Sequence, residues 1–385
     1  MSAELGEVEL SAVAAQMAGA GVDLAGPLTA RLIAGGRSNL TFRLDDGVSS
    51  WVLRTPPRAG RTPSAHDVAR EFRVTSALGA TDVPVPPAVV LCEDESLIGG
   101  PFTVAGFVPG ATVQTAAQLD ALDDTVVSAV VSALSSTLAA LHRVDHVAAG
   151  LERFGRPDGY AARQLKRWSG QWEIVGGAFD PAVRSAASAL AAALGDRLPR
   201  QAATGIVHGD YRIDNTLLAL PDSGSGAGSG AGGVSVVAVV DWELSTIGDP
   251  VADVAMMCVY RHPVFDQVIG EPTAWTSPRL PEAAGLAAAY EAEGGVDLVD
   301  LDEHLALGYL KLAVIAAGID HRYRAGATSG SGFDTAGQAV PVLLEEGLAV
   351  LRGEAGGLGT TNQISPLLRS KGEISFVVTR PTPQT

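Results

Sequence analysis

Two apolar runs in the second half of the chain stop abruptly at oxygen-bearing residues, and that pattern constrains the fold more than any other feature. GIVHGDYRIDN (205–215) is followed by the apolar TLLAL, and VSVVAVVDWELSTIGDP (234–250) runs apolar up to Asp241. Such β-favouring runs read as strands with a buried face, where an unpaired carboxylate is costly. If 216–220 and 234–240 form a hairpin, its open ends bring Asn215 beside Asp241, with Asp210 close by. Two carboxylates and an amide open to water suit Mg2+, which takes few protein ligands and completes its octahedron with water and substrate phosphate. Each residue alone is explained by a turn or a helix start. The joint pattern, H-G-D-x-x-x-x-N, a strand pair, D-W-E and then G-D-P, is not. A zinc reading of His208 fails, because no second His or Cys stands at ligand spacing.

At 385 residues the chain is longer than one compact core usually holds, which predicts two lobes. A formal net charge of −16 argues against nucleic acid as a partner, since that binding relies on Lys and Arg neutralising phosphates. An anionic ligand would need its own basic pocket or a metal. Cys92 and Cys258 lie far apart in apolar surroundings and read as core thiols of a reducing compartment. The acidic N-terminus lacks the basic-then-apolar order of a signal peptide, and no segment is expected to reach the ~18 apolar residues that span a bilayer. The expectation is a cytoplasmic protein with no membrane partner; the oligomeric state stays open.

Residues 1–27 read as a helical extension. LTARLIAGG, NLTFRLDD and SWVLRTPP form an antiparallel meander, SAHDVAREFRVTSALGA is a helix capped by Ser64, and AVVLCED and PFTVAGFVPG are two more strands. Helical patterns then dominate over 115–145, 158–198, 281–293 and 301–324. The Gly/Ser tract PDSGSGAGSGAGG predicts a flexible surface loop, and 356–385 a weakly ordered tail. In SWVLRTPP, Val52 and Arg54 share one strand face. In the helix that follows, Val68, Phe72, Thr75 and Leu78 make a stripe with Glu71 inside it. A carboxylate there needs a cationic partner, and Arg54 is the natural one.

HGDYRIDN followed by VVDWELSTIGDPVADVA resembles the aminoglycoside phosphotransferase family of the protein-kinase-like fold, most closely the kinase domains fused to acyl-CoA dehydrogenases and their stand-alone bacterial relatives. The resemblance runs from about Leu28 to about Gly353. It implies an α+β bilobal fold: a nucleotide-binding lobe over 28–107, with an antiparallel sheet and one helix, and a mostly helical catalytic and substrate-binding lobe over 108–355. ATP and Mg2+ are the implied cofactors. Asp210 would orient the acceptor hydroxyl and take its proton, Asn215 and Asp241 would hold the metal, and His208 would pin the loop. Asp249 would brace that loop, or else cap the helix ahead of Pro250. Arg212 would stabilise transferred charge, or form a surface salt bridge. Arg54 and Glu71 match the kinase Lys–Glu pair with arginine in place of lysine, as in the fused domains. Gly35, Gly36 and Ser38 would cover the phosphates, and backbone amides from Ala105 to Phe107 would meet adenine.

The acceptor is less legible. Tyr160, Arg163, Lys166 and Arg167 cluster on one helix, and Arg322 lies in a second basic patch, HRYRAG. They form either a solvated face or a groove for an anionic substrate such as a hydroxyacyl-CoA. Three readings follow: an O-kinase for a small hydroxylated metabolite, an aminoglycoside or macrolide kinase, and a nucleotide-binding pseudokinase scaffold.

Overall fold

The structure, a computed structural model, describes residues 4–34, 39–57, 67–221, 233–326 and 332–354. Gly35, Gly36, Ser38 and Ser64, the Gly/Ser tract between 222 and 232, and the 356–385 tail lie outside the described residues.

Helix α1 (Glu7–Gly19) buries Val13 and Met17 against a five-stranded antiparallel sheet. Its strands are β1 (Thr29–Ala34), β2 (Leu40–Asp45), β3 (Ser50–Thr55), β4 (Ala88–Cys92) and β5 (Phe102–Gly106), in the order β1-β2-β3-β5-β4. Strand β3 alternates strictly: Trp51, Leu53 and Thr55 are buried while Val52 and Arg54 face the other side. Arg54 is thereby placed between Thr41 and Thr103 on a central strand. Helix α2 (Val68–Leu78) starts later than expected, at a cap supplied by Asp67, whose carboxylate accepts the Arg70 N–H at 2.9 Å. Its inward face is Val68, Glu71, Val74 and Leu78. Phe72 and Thr75, expected in that stripe, are only half-buried, and Val74 takes their place.

The second lobe is mostly helical. The long stretches read at 115–145 and 158–198 are each broken into two helices, α3 (Ala116–Asp120) with α4 (Asp124–Arg143), and α5 (Tyr160–Val175) with α6 (Pro181–Asp196). Four short strands follow among the helices: β6 (Gly205–Val207), β7 (Thr216–Ala219), β8 (Ser235–Val239) and β9 (Thr246–Gly248). The remaining helices are α7 (Val251–Val259), α8 (Phe265–Ile269), α9 (Ala283–Ala292), α10 (Leu301–Arg324) and α11 (Ala336–Arg352). Contrary to expectation, α4 is long and apolar enough to cross a bilayer by length and composition, yet half of that window is buried inside the protein.

Two ladders position the site. Strands β7 and β8 form the expected hairpin, Thr216 opposite Val239, and the Val240 N–H extends it to the Asn215 carbonyl at 2.9 Å. Strand β6 pairs with β9, Gly205 opposite Gly248. A side chain at Gly248 would collide with the Tyr160 ring, so glycine lets α5 close on that ladder. The molecule is the bilobal α+β fold expected, and the segments after β6 and β8 meet between the lobes.

Candidate active site

The loop leaving β6 is tied down before its chemistry begins. The amides of His208 and Gly209 both donate to the Asp253 carboxylate at 2.7 Å, and His142 Nε2 lies 3.2 Å from the same group. Burial raises the Asp253 carboxyl, but the His142 hydrogen bond, the nearby His208 and these amides outweigh it and hold it below the usual carboxylate range. Gly209 adopts φ +87°, and a Cβ there would approach the Leu244 carbonyl oxygen to 2.8 Å. His208 is fully buried; desolvation lowers its pKa and keeps it neutral. Its Nε2 lies 3.0 Å from the Val240 carbonyl and its Nδ1 accepts from the Asp210 amide at 3.2 Å, which fixes the tautomer with the proton on Nε2. The imidazole links the two loops.

The Asp249 carboxylate accepts from the Val251 N–H at 3.1 Å at the start of α7, and its other oxygen faces His304 at 3.4 Å. Bracing of the loop falls to Asp253, one helical turn further on.

Asp210 sits in a dense donor set. Its Oδ1 accepts from the Tyr260 hydroxyl at 2.6 Å and its Oδ2 from Asn215 Nδ2 at 3.0 Å, while Arg212 approaches both oxygens at 3.3 Å. Lys311, on α10, donates to the neighbouring Gly209 carbonyl at 2.5 Å. Burial would raise the Asp210 carboxyl, but Arg212, the Tyr260 hydroxyl and Lys311 together hold it below the ordinary range. Arg212 is no surface salt bridge. It is 13% exposed, also pairs with Asp214 at 2.9 Å, and packs over the rings of Tyr260 and Phe265.

Asn215 Nδ2 also donates to the Asp210 carbonyl at 2.8 Å, so the amide nitrogen is fixed toward Asp210 and Oδ1 is left for another partner. Asp241 follows the hairpin in a left-handed conformation, φ +65°, a geometry Asp tolerates better than most residues. Arg54 reaches across the lobes: Nη1 donates to Glu71 at 2.6 Å and Nη2 to Asp241 at 3.3 Å. The Asn215 oxygen and the Asp241 carboxylate fit a hard cation that draws its remaining ligands from phosphate and water. Among the described residues no group of three or more His, Cys, Asp or Glu could hold a metal, so any ion here relies on those outside ligands.

The remaining expected positions divide. The Gly106 and Phe107 amides are committed to the Pro87 and Ser50 carbonyls at 2.7 and 3.2 Å, so they are not free to meet adenine. Ala105 is paired within the sheet with Val52 and Ala88. Arg43 stacks on the Phe107 ring at 4.4 Å. Tyr160 is buried as packing, and Arg163 donates to the carbonyls of Arg156 and Asp158, holding the turn before α5. Lys166 and Arg167 are exposed, with Arg167 5.0 Å from the Trp168 ring and adding positive potential at Lys311. Arg322 is exposed three turns further along α10 than Lys311, about 16 Å away along the axis, and does not join the site. Asp253, Tyr260 and Lys311 were not singled out in the sequence. Lys311, alone in the apolar run LGYLKLAVIAAG, carried a readable signal.

The phosphotransferase enzyme family model matches residues 29–297. The chain belongs to that family. It is a kinase, a phosphotransferase with an alcohol group as acceptor. A Ralstonia eutropha protein assigned as an aminoglycoside phosphotransferase has a crystal structure 32% identical in sequence, with a TM-score of 0.72, covering 89% of this chain and 98% of that one. Aminoglycoside phosphotransferase APH(4)-Ia, solved in ternary complex with AMP-PNP and hygromycin B, shares the fold at 18% identity and a TM-score of 0.54, covering 86% and 95% of the two chains. Chicken acyl-CoA dehydrogenase family member 11 is 34% identical over 330 residues, 84% of this chain and 40% of that protein. The chain thus spans less than half the length of the acyl-CoA dehydrogenase relatives it matches.

Proposed function

We propose that this phosphotransferase moves the γ-phosphoryl group of ATP to a hydroxyl of an anionic metabolite, of the hydroxyacyl-CoA class. The observation that carries the chemistry is the convergence of Asp210 and Asn215, on the loop after β6, with Asp241, on the turn after β8, tied to the opposite lobe by Arg54. Asn215 Oδ1 and Asp241 would hold Mg2+, which would supply positive charge to offset that of the phosphates. Asp210, kept ionised by its neighbours, would accept the hydroxyl proton as the acceptor oxygen bonds to phosphorus and the ADP oxygen leaves. Arg212, paired with Asp210, would offer positive charge to the transferring phosphoryl group.

The substrate class rests on charge. The cations nearest Asp210 are Arg212 and Lys311, with Arg167 reinforcing Lys311. An aminoglycoside, itself a polycation, would meet repulsion there. The kinship with acyl-CoA dehydrogenase family proteins points the same way. Both cysteines are buried free thiols, which accords with a reducing, cytoplasmic setting.

Phosphate transfer from γ-labelled ATP should be measured against a panel of 3- and 4-hydroxyacyl-CoAs, kanamycin, hygromycin B and a macrolide. The expected result is kcat/KM at least a hundredfold higher for a hydroxyacyl-CoA, and loss of turnover with retained nucleotide binding in Asp210→Asn. Efficient transfer to kanamycin would overturn the acceptor class, and nucleotide binding without turnover on any acceptor would favour a scaffold.

A further inference from the structure

A groove of about 520 Å³ lies on the outer side of α2, closed by Leu91 of β4 and by the 150–154 turn of the helical lobe. Its size falls within the range of small-molecule sites, ~300–1,000 Å³. Three arginines, Arg70, Arg73 and Arg153, line it and among the described residues no carboxylate does, in a chain with 43 Asp and Glu against 27 Lys and Arg. Phe72, Leu151 and Phe154 give it an apolar floor.

The arginines are unequally engaged. Arg70 donates to the Ser245 carbonyl at 2.7 Å and the Phe154 carbonyl at 3.0 Å, and stacks over the Phe154 ring at 4.2 Å. Arg73 is 61% exposed and only 3.9 Å from Glu93, itself 69% exposed, a geometry that contributes little. Arg153 is exposed. At 3.6 residues per turn, Phe72, Arg73, Ser76 and Ala77 occupy the face of α2 opposite Glu71, Val74 and Leu78. One side of the helix therefore faces the groove, and the other holds the Glu71–Arg54–Asp241 chain.

We propose that this groove binds a small amphiphilic organic anion, an apolar body carrying a sulfonate, carboxylate or phosphate, and that its occupancy strengthens nucleotide binding. Such a ligand seats its apolar part on Phe72, Leu151 and Phe154 and joins Arg73 of α2 to Arg153 of the other lobe through its anionic group. It adds a second tie beside Arg70 and holds α2 where Glu71 keeps Arg54 on Asp241. By linkage, nucleotide and anion each raise the other's affinity by the same factor.

Wild type and Arg73→Glu/Arg153→Glu would be titrated with 8-anilinonaphthalene-1-sulfonate and with Mg2+·AMP-PNP, separately and together. Probe affinity should fall at least tenfold in the double variant, whose melting temperature stays near wild type because both side chains are exposed. Saturating probe should lower the AMP-PNP Kd at least threefold in wild type and leave it unchanged in the variant. Equal probe affinity in the two proteins, displacement of the probe by AMP-PNP, or an AMP-PNP Kd indifferent to the probe would each overturn the proposal. Failure of AMP-PNP to bind even without probe would count against the kinase reading and against this coupling, while the charge-reversal result would still decide the groove.

Discussion

Lys311→Met tests the site at a residue the motif does not contain. Lys311 gives the Gly209 carbonyl a charged donor at 2.5 Å and places positive charge near Asp210. A hydrogen bond to a charged group contributes about 1.5–3 kcal/mol. If that is lost from the transition state alone, kcat falls roughly 10- to 150-fold. Methionine fills much of the same volume and removes the desolvation cost of a buried ammonium, so the melting temperature should change far less than the rate. The pH profile supplies an independent readout. Asp210 must be ionised, and its depressed pKa places the acidic limb low; deleting one of the cations that depress it moves that limb to higher pH. Burial lowers the Lys311 pKa in turn, so wild type loses activity as pH rises through that lowered value, and the variant lacks this alkaline limb. Steady-state kinetics across pH would show both. An unshifted profile with unchanged kcat, or a rate loss matched by equal loss of stability, would refute the assignment.

Arg54→Ala should raise the KM for ATP at least tenfold and lower stability, because Glu71, already raised by burial, loses its cation; Arg54→Lys should restore only part, since a single ammonium cannot bridge two carboxylates as the fork does. Asp253→Asn should cost about 2–4 kcal/mol near neutral pH, two amides having lost a charged acceptor. The sign follows from its depressed carboxyl: Asp253 contributes stability above its unfolded pKa and loses it as pH falls through the lower folded value, so the variant's acid unfolding curve should be flatter there.

What the sequence disclosed depended on how far its signals had to reach. Asp210, Asn215 and Asp241 were legible because a hairpin converts sequence order directly into proximity, and Arg54 with Glu71 because strand and helix periods fix their faces. Helix α7 was not legible: nearly every side chain from Val251 to Val259 is buried, so it has no apolar–polar period to detect. Helix α11 contains Pro341, a residue that argues against a helix interior. Asp249 and Asp253 stand one turn apart in the same motif. Only the β6–β9 ladder, which sets α7 against the loop, decides which of them the loop amides reach. Tyr260 and Lys311 arrive from helices whose packing no local pattern encodes.

The arginine at position 54 has a structural consequence that a lysine would not. Its fork engages Glu71 on α2 and Asp241 on the turn after β8 at once, and the next residue back on α2, Arg70, grips the Ser245 carbonyl at the other end of that turn. Residues 70 and 71 of one helix thus hold both ends of the 241–245 segment, and the Leu244 carbonyl within it lies where a side chain on Gly209, the residue before Asp210, would collide. The position of α2 is therefore read in the geometry of Asp241 and of Asp210 together. A shift of the helix must break charge-assisted contacts at both ends, about 1.5–3 kcal/mol each, which makes the arrangement resist small displacements and yield only to large ones. Force applied to the outer face of α2 then has a direct path to the chemistry. The same rigidity explains why Arg54→Ala should affect nucleotide binding and stability together, whereas Lys311→Met, which leaves α2 untouched, should separate them.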